Sequence, residues 1–347
     1  MTAGFANSGT AGYVAGGSSG TDISGIDKVS FPADTKTTLS ATLTSARDEA
    51  TGFANSGTAG YVAGGHDSAR ISGIDKLTFP VDAKTTLSAT LTSARNVLTG
   101  FANSGVAGYT AGGSDGNYQS GIDKVSFPAD TKTTLSATLT STNGSCGSFA
   151  NSGVAGYVVG GYNGSYTNRI DKVSFPADTK TTLSATLTSS TSTIAGFANS
   201  GVAGYAAGGD DGASISRIDK IAFPADTKTT LSATLTTARF SGTGFANSGV
   251  AGYHAGGYQS SAISGIDKIE FNADTKTTLS ATLTSARNGP AGFSNSGVAG
   301  YAAGGNASPL TSGIDKVSFP ADTKTTLSAT LTTALLYAAG FADSGTL

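Results

Sequence analysis

The chain has 347 residues, of which 49 are Gly, one is Cys, two are His and none is Trp. Only 13% of residues are charged and the formal net charge is −2, so there is no basic surface for nucleic acid and no cationic face for anionic lipid. Cys146 stands alone, which excludes an intramolecular disulfide. No apolar run reaches bilayer-spanning length, so membrane insertion is not expected. Met1-Thr2-Ala3-Gly4 lacks the basic region and apolar run of a signal peptide.

The motif Phe5-Ala6-Asn7-Ser8-Gly9 returns, with small changes, at Phe53, Phe101, Phe149, Phe197, Phe245, Phe293 and Phe341, always 48 residues on. Seven repeats are therefore complete, over 5–52, 53–100, 101–148, 149–196, 197–244, 245–292 and 293–340, and residues 341–347 begin an eighth. In the third repeat, Gly100–Asn103 reads as a small-residue strand that ends at an Asn-Ser-Gly turn. Val106–Ala111 reads as a second strand closed by Gly112-Gly113, Ile122–Phe127 as a third closed by Pro128-Ala129-Asp130, and Thr133–Thr140 as a fourth. Four antiparallel strands in roughly 40–50 residues is the arithmetic of a propeller blade. The expectation is an all-β chain, residues 1–347 forming one seven-bladed β-propeller, with residues near 341–347 pairing beside blade one or blade seven. A β-solenoid is the competing reading, though its rungs are usually shorter and simpler. Small residues such as Gly100 and Ala102 suit the crowded axis, and Phe101, Tyr109, Phe127, Leu135 and their copies suit the spaces between blades.

From its fourth strand onward, a repeat reads Thr284-Ser285-Ala286-Arg287, then Phe293-Ser294-Asn295-Ser296-Gly297, Gly300-Tyr301-Ala302-Ala303-Gly304-Gly305, and Ile314-Asp315-Lys316-Val317-Ser318-Phe319. This resembles the kelch repeat, with its Arg, its turn, and its Tyr just before a double Gly, and the resemblance implies a propeller. Leu39 and its copies stand where kelch repeats usually carry Trp, and the Arg is absent from repeats three, four and seven, where Thr142, Ser190 and Leu335 are read in its place. The wording of the repeats also resembles virion-associated repeat proteins of bacteriophages, which implies a role in virions or host recognition.

Two windows per repeat vary. One follows the double Gly (18–24, 66–72, 114–120, 162–169, 210–217, 258–264, 306–312) and one joins consecutive blades (47–51, 95–99, 142–147, 190–195, 239–243, 287–291, 335–339). In an up-and-down blade both windows lie on one face, and the opposite face repeats a single surface seven times. The variable windows hold His66, Arg70, Tyr118, Tyr162, Tyr166, Arg169, Arg217, Phe240, Tyr258, Gln259 and Tyr337. Tyr, Arg and adaptable polar groups on loops are the usual material of a recognition surface, so these residues are the candidate contacts for a glycan or protein. Drift of unconstrained loops is the competing explanation. The constant face, with its Asp34, Thr35 and Lys36 sets, is a candidate assembly surface. An intracellular kelch-type adaptor is a further alternative.

Catalytic chemistry is not expected. His66 and His254 lie nearly four blades apart and no Cys-His set exists, so neither a metal site nor a cofactor is foreseen. Cys146 reads as an incidental loop thiol, His254 as a structural strand residue, and Asp27-Lys28 as a surface ion pair.

Overall fold

The computed structural model describes residues 6–7, 9–337 and 339–340. They form seven four-stranded antiparallel sheets, with no helix among the described residues. In blade three the inner strand is Thr99–Asn103, the second Ala107–Ala111, the third Ile122–Ser126 and the outer Thr131–Thr134. Inner strands of successive blades touch one another around the axis. The second strand is buried along its whole length, the third alternates towards solvent at its end, and the Thr-Lys-Thr-Thr edge is largely exposed. A short edge carrying Lys resists pairing with another chain.

The fourth strand is shorter than its alternating pattern predicts. After Thr134 the chain turns back across its own blade, donating from Leu135 to Ile122, from Leu139 to Ser120 and from Asn143 to Gln119. A hydrogen bond at every fourth residue is a return segment and not a ladder.

The core lies between the blades. Phe53 stacks on Tyr61 at 5.1 Å, and Tyr61 stacks on Phe127 of blade three at 5.1 Å. A Cβ added to Gly108 of blade three would overlap the Phe53 ring, so glycine here is the seat of its neighbour's phenylalanine. The same stack closes the ring, with Phe31 of blade one 5.1 Å from Tyr301 of blade seven. The expected interblade role of the Phe and Tyr positions is thus the observed one.

Polar contacts fasten each seam twice. On the constant face Tyr61 and Lys76 of blade two both donate to Asp130 of blade three, at 2.7 Å each. The aspartate takes a left-handed φ of 56° to receive them. Asp34 does the same for Tyr301 and Lys316 across the closure. Deeper in the seam, Asp123 of blade three accepts from the amide and hydroxyl of Thr92 and from the Arg95 guanidinium at 2.8 Å. Asp27-Lys28 is therefore no surface pair. Asp27 is buried and receives Thr332 from blade seven, while Lys28 reaches Asp82 of blade two.

The ring closes by sharing one strand. Ala6–Asn7 pairs with Gly12 and Ala11, and Ala339–Gly340 pairs with Ala15 and Val14 on the same second strand of blade one. Both ends of the chain thus build one inner strand. The expectation for residues 341–347 lies outside the described residues.

The register also corrects one reading. Asn143 and Thr191, not Thr142 and Ser190, occupy the positions equivalent to Arg95, and Leu335 occupies the third. All three are buried.

Two outcomes follow from these contacts. Arg95→Ala removes the guanidinium from buried Asp123 while Lys132 stays at 3.2 Å, and should lower the unfolding free energy by about 1–3 kcal/mol, measured by chemical denaturation. His254 is fully enclosed beside Arg239, and burial, followed by that cation, holds its imidazole well below the usual range. A base held neutral in the folded state loses its contribution as pH falls below its unfolded value of about 6.5. The wild type should therefore lose stability between pH 7 and pH 5, and His254→Val should flatten that slope.

Candidate functional site

The double Gly starts the variable face. Gly64 and Gly65 take φ of 66° and 112°, and a Cβ on Gly65 would press on the Asp48 carbonyl. That close approach lets the two variable windows pair. Asp48 and His66 exchange both backbone hydrogen bonds at 3.0 Å, and the same bridge recurs at Asn96 and Ser114, Gly144 and Tyr162, Ser192 and Asp210, Phe240 and Tyr258, and Asn288 and Asn306. The windows lie on one face, as the topology required.

Side chains from neighbouring blades then meet above several of the seams. Tyr118 of blade three makes an edge contact with Tyr162 of blade four at 5.8 Å, and Gly144 leaves room for the Tyr118 ring. Tyr162 makes a second edge contact with Tyr166 at 5.0 Å. Tyr166 donates to Asp210 of blade five at 3.0 Å, and this hydrogen bond, ahead of burial, raises its phenol. Phe240 and Tyr258 lie 5.6 Å apart above the seam of blades five and six. The structure thus brings Tyr118, Tyr162 and Tyr166 into one cluster, with Phe240 and Tyr258 as a separate pair.

The remaining predicted residues are dispersed. Arg70 is exposed on a small hairpin of blade two, reaching towards Gly116. Gln259 and Arg169 are exposed, and Arg217 pairs with Asp211 at 3.6 Å. Arg169 and Arg217 also stand where Gly73, Gly121, Gly265 and Gly313 accept from the buried arginines, and they appear at the two seams where Asn143 and Thr191 replace that arginine. At those two seams a cation is found in the loop of the following blade in place of the connection.

Tyr337 has a different place. It belongs to an annulus around the axis in which Val97 donates to Glu49, Ser145 to Val97, Thr193 to Ser145, Ser241 to Thr193, Gly289 to Ser241 and Tyr337 to Gly289. Below it lies an axial cavity of about 180 Å³, lined by inner-strand residues such as Ala102, Ser148, Ala198 and Ser294, with Tyr337 in its wall. Sequence reasoning missed this annulus. Its signal was available, because positions 49, 97, 145, 193, 241, 289 and 337 recur every 48 residues and carry six different side-chain types.

Part of the variation is core packing. Leu98, Cys146 and Ile194 are buried ends of the connecting windows. Gly242 stands in the same position, and the His254 ring fills the space its missing side chain leaves. Cys146 therefore lies in the connecting loop, but its side chain is a buried part of the core. Burial pushes its thiol up to about 12, which removes the thiolate that chemistry would need. Native protein should leave Cys146 unmodified by a disulfide reagent over hours at neutral pH, and unfolding in guanidinium should release one fast equivalent.

No protein-family model matches the chain, and no curated protein matches it. Among solved structures, that of YjhT is similar with a TM-score of 0.63 and 14% identity, over 81% of this chain and 97% of that one. At that identity the likeness shows the fold alone.

Proposed function

We propose that the chain is a non-enzymatic recognition module whose variable face binds a glycan or a protein surface. The observation that carries this reading is the tyrosine cluster: Tyr118, Tyr162 and Tyr166 from two adjacent blades lie ring to ring on one face, each half-buried. Rigid aromatic groups with few rotamers to lose suit the binding of sugar faces and apolar side chains. Polar neighbours such as Asp115 and Gln119 in the Tyr118 window, and Asp210 in the loop of blade five, supply directional contacts. The kelch-like wording of the repeats supports a propeller scaffold used for binding, and the likeness to phage virion-associated repeats directs the search to cell-envelope glycans.

A second reading, assembly through the constant face, rests on one observation. Val106, Val154, Val202, Val250 and Val298 follow the inner-strand turns of five successive blades and are each more than two-fifths exposed. The Asp34 and Lys36 sets are less suited to it, because both are engaged within the molecule.

The two readings separate in one experiment. The purified chain should bind a restricted set of glycans or envelope preparations, and the triple Tyr118→Ala, Tyr162→Ala, Tyr166→Ala variant should lose that binding at least tenfold with its circular dichroism unchanged. Binding that survives in the triple variant, or a folded wild type that binds nothing, overturns the recognition reading. Self-association or complex formation lost on Val154→Lys and Val202→Lys would then favour assembly.

A further inference from the structure

Above the seam of blades one and two the same construction produces different chemistry. Asp22 comes from the loop of blade one, Asp48 from the connection, and His66 from the loop of blade two. Their ligand atoms, one imidazole nitrogen and two carboxylate oxygens, all lie within 4.8 Å of one another, and all three residues are half-buried. The backbone sets this up: Asp48 and His66 are a doubly hydrogen-bonded pair, which holds their side chains on the same side of the ladder. The equivalent positions hold Tyr118, Gly144 and Tyr162 at one seam and Tyr166, Ser192 and Asp210 at the next, so this donor set is peculiar to one seam.

Charge gives a second, independent observation. Each buried template aspartate meets a Lys or Arg: Asp75 with Arg47, Asp123 with Arg95, Asp171 with Lys180, Asp219 with Lys228. Asp22 and Asp48 have no ion pair among the described residues, although Glu49 adds a third carboxylate beside them.

We propose that Asp22, Asp48 and His66 bind one divalent transition-metal ion of the zinc class. An imidazole with two carboxylates is a donor set for such ions, at ligand distances of about 2.0–2.2 Å. Calcium and magnesium prefer oxygen ligands throughout and fit it less well. Three protein ligands leave a coordination position open on the exposed side, available to water or to a donor atom of a bound molecule. The alternative soft ligands do not compete, because His254 and Cys146 are buried.

The test uses the untagged full chain and zinc chloride, with magnesium chloride as comparison, in isothermal titration calorimetry. One equivalent of zinc should bind with micromolar or tighter affinity and magnesium at least 100-fold more weakly. His66→Ala and Asp22→Asn, both at half-buried loop positions and with folding checked by circular dichroism, should each weaken zinc at least tenfold. Chelator should reverse a zinc-induced rise in melting temperature in the wild type and find none to reverse in His66→Ala. Absence of saturable zinc binding by the folded wild type overturns the proposal, and so does unchanged binding in His66→Ala.

Discussion

A buried carboxylate at the second position of every third strand holds one blade to the next. Asp75 shows how. Burial alone would raise its carboxyl, but the Thr44 amide, the Arg47 charge and the Thr86 and Thr44 hydroxyls outweigh it and hold the group below the usual range. The donors Thr44 and Arg47 belong to the segment returning from the previous blade, so the aspartate can be satisfied only when two blades are docked. An unpaired buried charge is costly, so a gap anywhere in the ring leaves one such group stranded. The closure obeys the same constraint, since Asp27, besides Thr38 and Lys36 of its own blade, takes the amide and hydroxyl of Thr332 from the far end of the chain. Cooperativity in this molecule therefore has a local chemical cause.

That constraint also sorts the differences among repeats. At two of the three connections that lack the arginine, after blades three and four, Lys180 and Lys228 remain on Asp171 and Asp219 and Arg169 and Arg217 appear in the adjoining loop, while after blade seven Leu335 takes its place and Lys36 remains on Asp27. Where a histidine enters the second strand, glycine appears in the connection beside it. Such paired changes preserve charge balance and volume, as close packing requires. They account for variation that points inward and leave the outward-pointing side chains of the same windows to be explained by binding.

The outward side chains meet in small groups above four of the seams. Because two loops and a connection converge there, each seam combines residues from two blades and acquires its own chemistry. Aromatic groups gather over blades three to six, and carboxylates with an imidazole over blades one and two. A propeller of identical blades would present one surface seven times; this one presents several sites on a common frame. The fold itself carries no function, and the functional reading rests on these groups.

The strand count, the blade count and the face of the variable windows were legible in the sequence, because an exact 48-residue recurrence aligns every structural position with its copies. The Phe and Tyr core positions were legible for the same reason. What meets across a seam was not. Partners such as Tyr166 and Asp210 are 44 residues apart, an offset that crosses from the end of one loop to the start of the next and matches no repeat interval. Nor could alternation distinguish the outer strand from the return segment that follows it, or show that Cys146 and Ile194 turn inward while their neighbours face solvent. The sequence by itself determined the repeating unit and its closure into a ring, since both follow from local pattern and number. Only the tertiary structure decided which charges pair and which loop residues form a site, because those depend on contacts between blades.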